Sequence, residues 1–150
     1  MDDDKNPRYK DGQDIRDRTL AFACRIVEFC RKLYELGGIA RMMVPQLLAC
    51  GTSPCGMLEE ARAGESTPDF ISKCCIALKE LREAHGRLRI HEACKIGPLD
   101  EATSLRQEAN ELISIVWTIV RNKRRNAGLT INSNQRKPRR PSFAKVIPDA

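Results

Sequence analysis

The segment QLLACGTSPCGMLEEARAG, residues 46–64, decides how the chain is read. It places a proline, two interior glycines and two cysteines between flanks of helical pattern. Gly51, Pro54 and Gly56 are poor helix formers. The segment is therefore either a loop carrying a cysteine-based site or a helix whose small residues admit a close neighbour.

Working outward, both flanks favour helix. Upstream, Ile15, Thr19, Phe22, Ile26, Phe29, Leu33 and Leu36 alternate at spacings of four and three, one stripe of a helix predicted over 14–36. Gly37-Gly38 stops it, since glycine supplies the left-handed conformation of a helix end. A second helix is predicted over 39–63, through the quoted segment to Gly64. A third, over 67–92, opens on Thr67 as cap, Pro68 at the first helical position and Asp69 against the dipole. Its inner stripe is Phe70, Cys74, Ala77, Leu81, Ala84 and Leu88. KIGPLD (95–100) breaks the chain before a fourth helix over 100–126, with Leu105, Ala109, Leu112, Val116 and Ile119 inward. Short connections make neighbours antiparallel. The expected fold is all-α, an antiparallel up-down-up-down four-helix bundle over 14–126. Residues 1–13 read as a mobile polar lead-in and 127–150 as a basic flexible tail.

Composition agrees with one helical domain: 150 residues, 5% aromatic, 31% charged. The seven cysteines are odd in number and irregularly spaced, and no N-terminal secretory pattern precedes them. They read as free thiols in the core of a soluble cytoplasmic protein. The longest apolar run, LISIVWTIV (112–120), is far short of the roughly 20 residues that cross a bilayer.

Residue patterns argue against an enzyme. Cys24 and Cys30 are six apart, Cys50 and Cys55 five apart, and Cys74 and Cys75 adjacent; none makes the C-x-x-C pair of zinc sites. With only His85 and His91 to add, no metal is expected. Some helical ribonucleases carry an Arg and a His four to six residues apart on one helix. Here Arg82 and His85 leave two residues between them, and Arg87 and His91 three. Glu59-Glu60, Glu80/Glu83 and Glu108/Glu111 read as solvated faces or partners of nearby cations. There is no nucleophile–base pair and no Gly-rich phosphate loop, so no cofactor is expected.

Two features point to binding instead. Ile113, Ile115, Trp117 and Val120 lie outside the inward stripe of the fourth helix. A helix apolar on nearly every side is normally buried on every side, and in a four-helix domain of this size only another chain could cover the outer side, so these residues are the expected interface of a homo-oligomer. The alternative is a few scattered surface apolar residues. Charge is the second feature. Residues 1–120 hold 17 Lys/Arg and 19 Asp/Glu, a balance of −2, whereas 121–150 hold nine Lys/Arg and one Asp, a balance of +8. Arg121, Lys123, Arg124 and Arg125 close the fourth helix, and Arg136, Lys137, Arg139 and Arg140 follow in the tail. Such cations either offset the helix dipole and solubilise a tail or bind phosphates. Arg18, Arg25 and Lys32, a heptad apart along one edge of the first helix beside Arg31, would extend a basic surface. With few aromatics for stacking, binding would be to RNA or DNA backbone rather than to bases.

The run 46–90 resembles a known family. Gln46, Leu47, Thr52, Ser53, Gly56, Glu60, Ala61, Ser66, Asp69, Phe70, Ile71, Lys73, Ile76, Ala77, Leu78, Lys79, Glu80, Glu83 and Leu88 match the pattern of bacterial four-helix-bundle proteins. These are encoded in intervening sequences of 23S ribosomal RNA genes and are related to the accessory variability proteins of diversity-generating retroelements. The resemblance implies that 46–63 is continuous helix, its small residues admitting a neighbour. It also implies a homopentamer with a basic surface, association with nucleic acid and no catalytic residues. An alternative role that it implies is a protein-interaction adaptor for a reverse transcriptase or other polymerase, with the tail as a tether.

Overall fold

The structure, a computed structural model, describes residues 14–129. Among them there are five helices and no strand: α1 (Ile15–Leu36), α2 (Gly38–Met42), α3 (Val44–Ala63), α4 (Thr67–Cys94) and α5 (Leu99–Asn126). The four long helices form an antiparallel square. α1 packs on α3, α3 on α4, α4 on α5 and α5 back on α1, while the diagonal pairs stay apart. The helical-bundle class expected from the sequence is the one observed.

Residue 43 divides the second expected helix into α2 and α3. Met43 sits at φ −84°, ψ −12°, and its N–H turns to the carbonyls of Ile39 and Ala40. The cause is Pro45 in the first turn of α3. Proline has no N–H to donate, and its ring would clash with the carbonyl four residues back. A second correction concerns α4, whose cap is Ser66 rather than Thr67: the Ser66 hydroxyl accepts from the Asp69 N–H at 3.2 Å.

The quoted segment lies wholly in α3, with Pro54 buried inside it. Gly51 explains the close approach of α1: a Cβ there would lie 2.7 Å from Ile26 Cγ2, and Ile26 is fully buried. Gly56 has no such reason, since nothing lies within 4 Å of its Cβ position. The core comprises Phe22, Ile26, Phe29 and Leu33 of α1, Leu47 and Leu58 of α3, Leu78, Leu81 and Leu88 of α4, and Leu105, Leu112 and Val116 of α5. Gly97 closes the α4–α5 connection, with φ +80° and its Cβ position 2.5 Å from Leu33 Cδ2, so both conformation and space demand glycine.

These two glycines of α3 should respond oppositely to alanine in urea unfolding. Gly51→Ala should lower stability by about 1–3 kcal/mol, because Ile26 has nowhere to move. Gly56→Ala should raise it by up to about 1 kcal/mol through helix propensity. A stabilising Gly51→Ala would show that Ile26 yields to the added methyl and that the close approach of α1 does not require glycine there.

Candidate nucleic-acid interface

The last two turns of α5 carry Arg121, Lys123, Arg124 and Arg125. Arg121 lies with its guanidinium carbon 4.9 Å from the Trp117 ring centre, one turn below. Lys123 places its ammonium 5.1 Å from the ring centre of Phe70, at the start of α4. Arg124 directs a guanidinium nitrogen to Cys75 Sγ at 3.8 Å, and Arg125 is exposed. Among the described residues no carboxylate lies within ion-pair distance of Arg121, Lys123 or Arg125. α5 itself carries no acid after Glu111, and Asp14, Glu59 and Glu60 pair with Arg16 and Lys73. α5 then stops sharply. Gly128, at φ +68°, donates to the Arg125 carbonyl and Leu129 to that of Arg124, a glycine-terminated helix end. Arg136, Lys137, Arg139 and Arg140 lie outside the described residues.

The aromatic supports were not part of the sequence reading, although Trp117 and Arg121 stand four apart, on one helical face. Arg62 was also missed. It is exposed at the end of α3 and lines a cavity of about 190 Å³ with Ile15, Leu58, Phe70, Cys74 and Ile119. The cavity sits at the same end of the bundle as Lys123.

The cations of α1 do share one edge, but that edge faces α5. Arg18 is only 9% exposed. It forks onto Glu108 at 2.8 and 3.0 Å and reaches Glu111 at 2.7 Å, and the Glu108 bonds hold its guanidinium above its ordinary pKa. Its assignment to a phosphate-binding surface is corrected on that ground: it is buried and its donors are engaged. Arg25 donates to Ser104 at 2.6 Å, and Lys32 pairs with Glu101. Beside this ladder a cavity of about 300 Å³ opens between Cys24, Arg25, Glu28, Glu101 and Leu105.

Ile113, Ile115, Trp117 and Val120 are 3%, 4%, 9% and 2% exposed within the single chain. The premise that only another copy could cover them is corrected. In the square, α5 touches α4 on one side and α1 on the other, and Arg121 lies over Trp117. These contacts bury far more of its circumference than one stripe.

The cysteines are all unbridged. Burial pushes the thiols of Cys30, Cys50 and Cys74 up to about 11, so they are protonated and poor nucleophiles at neutral pH. Among the described residues no three His, Cys, Asp or Glu side chains gather as metal ligands. No helix there is long and apolar enough to cross a membrane. His91 is fully buried, with Nδ1 3.0 Å from the Ile96 carbonyl and its ring edge-on to Phe29 at 5.4 Å. Nε2 of His91 and Nε2 of His85 are buried without a partner.

No protein-family model and no curated protein matches the chain. Among solved structures, it is similar to a protein of unknown function from the S23 ribosomal protein family of Bacteroides thetaiotaomicron. The two share 28% identity with a TM-score of 0.66, over 71% of this chain and 98% of that one.

The two histidines give stability a pH dependence of definite sign. Burial lowers both pKa values below the ordinary 6.5; for His85 the nearby Arg106 and Arg89 lower it further, outweighing Glu92. The unfolded chain therefore binds protons that the folded one refuses. The stability contributed by neutral His85 and His91 should be complete above pH 6.5 and fall as pH drops below it. His91→Gln should flatten the unfolding free energy between pH 7 and 5. An unchanged profile would mean that the imidazole is not held neutral.

Proposed function

We propose that the protein is a non-enzymatic, homo-oligomeric nucleic-acid-binding scaffold that holds RNA or DNA phosphates at the basic end of α5. The observation that carries this reading is a contrast between helices. Arg16, Arg18 and Lys32 of α1 all close on carboxylates. Arg121 and Lys123 of α5 instead lie over aromatic rings and leave their charge to an incoming anion. Arg125 adds an exposed cation to this end, and Arg136, Lys137, Arg139 and Arg140 follow it in sequence. The helix C-terminus tolerates this density because cations there offset the dipole.

The residues of 46–90 that match the intervening-sequence proteins support a pentamer as the assembly. Several tails in one particle would raise avidity without new contacts per chain.

Fluorescence anisotropy with a labelled single-stranded RNA, repeated across salt concentrations, tests the reading. The logarithm of the association constant should fall against log salt, with a slope of about −0.7 per phosphate contact on a single strand. Deleting 127–150 should weaken binding and flatten the slope, and Lys123→Glu/Arg125→Glu should flatten it further. Lys32→Ala, which removes a cation already paired, should leave it unchanged. Equal affinity and slope in the truncated and charge-reversed proteins would remove the α5 end from the interface.

A further inference from the structure

The bundle is closed unequally at its two ends. At the end made by the α4–α5 connection, Gly97 lies against Leu33 and the Ile96 carbonyl meets His91, and Leu33, Leu88 and His91 are fully buried. At the other end the core stops short. Ile15 of α1, Phe70 of α4 and Ile119 of α5 belong to the inward stripes of their helices, yet each is only half-buried. They surround the cavity of about 190 Å³, which the buried side chains Leu58, Ala61 and Cys74 also line, so that all four long helices contribute to it. A void of this size costs a bundle stability, and it stands where the inward stripes would otherwise meet.

Wall and rim differ in chemistry. The wall side chains are apolar apart from the Cys74 thiol, which burial keeps protonated. The charged lining residues are Asp14, Arg16 and Arg62. Asp14 is occupied by Arg16, whose guanidinium donates to it at 2.5 and 3.0 Å, and Arg16 also reaches Glu59 at 3.6 Å. Asp69, next to Phe70, places its carboxylate against Gly64 at the end of α3. Arg62 is exposed and closes on no carboxylate among the described residues. The Lys123 ammonium, 5.1 Å from the ring centre of Phe70, adds a second positive charge close to the wall.

We infer that this end cavity binds a small organic carboxylate, its apolar part (one ring, or a branched chain of like size) filling the cavity and its carboxylate meeting Arg62 at the rim. Size decides the apolar part. A cavity of about 150 Å³ lined by Leu, Ile and Phe stays dry and takes benzene; this one has similar walls and is slightly larger. It is smaller than the roughly 300 Å³ at which sites for drug-sized ligands begin. A nucleobase fits worse, since its ring edge would lose hydration against walls that return few hydrogen bonds. Charge decides the head group. A guanidinium pairs with a carboxylate through two parallel hydrogen bonds, and the Phe70 ring offers an aromatic body a partner. The inference goes beyond the nucleic-acid reading and does not depend on it.

The experiment titrates the full chain, isotope-labelled at its Ile and Leu methyl groups, with hydrocinnamate and follows the methyl resonances. Ile15, Leu58 and Ile119 should shift and saturate, with a dissociation constant of about 1 mM or lower, while Leu33 and Leu88 stay in place. Hydrocinnamyl alcohol, the uncharged counterpart, should move the same methyls and bind about five-fold more weakly. Acetate, which lacks the apolar part, should move none of them. Arg62→Gln, at an exposed position, should bring hydrocinnamate down to the affinity of the alcohol and leave the alcohol unchanged. Ala61→Leu should fill the cavity and abolish binding of both, with wild-type circular dichroism.

No saturable shift up to about 10 mM, or shifts at other methyls in place of these, would overturn the site. Undiminished binding to a folded Ala61→Leu would do the same. If that variant does not fold, the methyl map and Arg62→Gln decide. Equal affinity for acid and alcohol, or for wild type and Arg62→Gln, would overturn the carboxylate as head group and with it the ligand class. RNA binding enters none of these readouts, so failure here leaves the proposed function to its own test.

Discussion

The seam between α1 and α5 closes the bundle, and the rest of the structure depends on it. The other three seams join helices that follow one another along the chain and close early, at small loop entropy. This one must bring together residues about 90 positions apart, as Arg18 and Glu108 are. It does so with a charged ladder: Arg18 on Glu108 and Glu111, Arg25 on Ser104, Lys32 on Glu101. The ladder also fixes the register. A slip of one turn would leave the Arg18 guanidinium buried without its carboxylates, at a cost of about 3–5 kcal/mol. The adjoining α4–α5 seam uses the same device once, where Arg106 meets Glu92 at 2.5 Å and Thr103 shares that carboxylate.

That closure sorts the charge of the molecule. Arg18 and Lys32 of α1 and the carboxylates Glu101, Glu108 and Glu111 of α5 neutralise each other along the α1–α5 seam. What is left over is the sequence beyond Glu111, which has cations and no acids until Asp149. The basic end therefore follows from register as much as from composition. The helix whose first half supplies the carboxylates of the seam must present its unmatched second half at the far end.

Much of this was legible in the sequence, and the misreadings have physical causes. Of the stripe Ile15, Thr19, Phe22, Ile26, Phe29, Leu33 and Leu36, the five residues from Thr19 to Leu33 are buried, because a repeat near 3.6 leaves one face for the core. Ile15 is half-buried, and Leu36, in the last turn of α1, is exposed. Gly51 was read as a place where a helix comes close, and Ile26 is what comes close. The edge of Arg18, Arg25 and Lys32 was read as one edge, which it is. Its neighbour was not legible, since nothing local says that α5 will lie there. Ile113, Ile115, Trp117 and Val120 were misread by treating a bundle helix as buried along a single seam. A helix at the corner of a square is covered from two sides, and the Arg121 guanidinium lies over Trp117. Met43 was missed because propensity summed over 39–63 favours helix. The break comes from the geometry of one proline, Pro45, two residues later.

The seam and the basic end use the same kinds of side chain for opposite purposes. Arg18 is buried and closed on Glu108 and Glu111, so its charge is taken up inside one chain. Arg121 and Lys123 rest instead against the rings of Trp117 and Phe70. On the proposed reading, side chains already placed in this way would lose less freedom on meeting a phosphate than fully solvated cations would, and their attraction for it would weaken with salt.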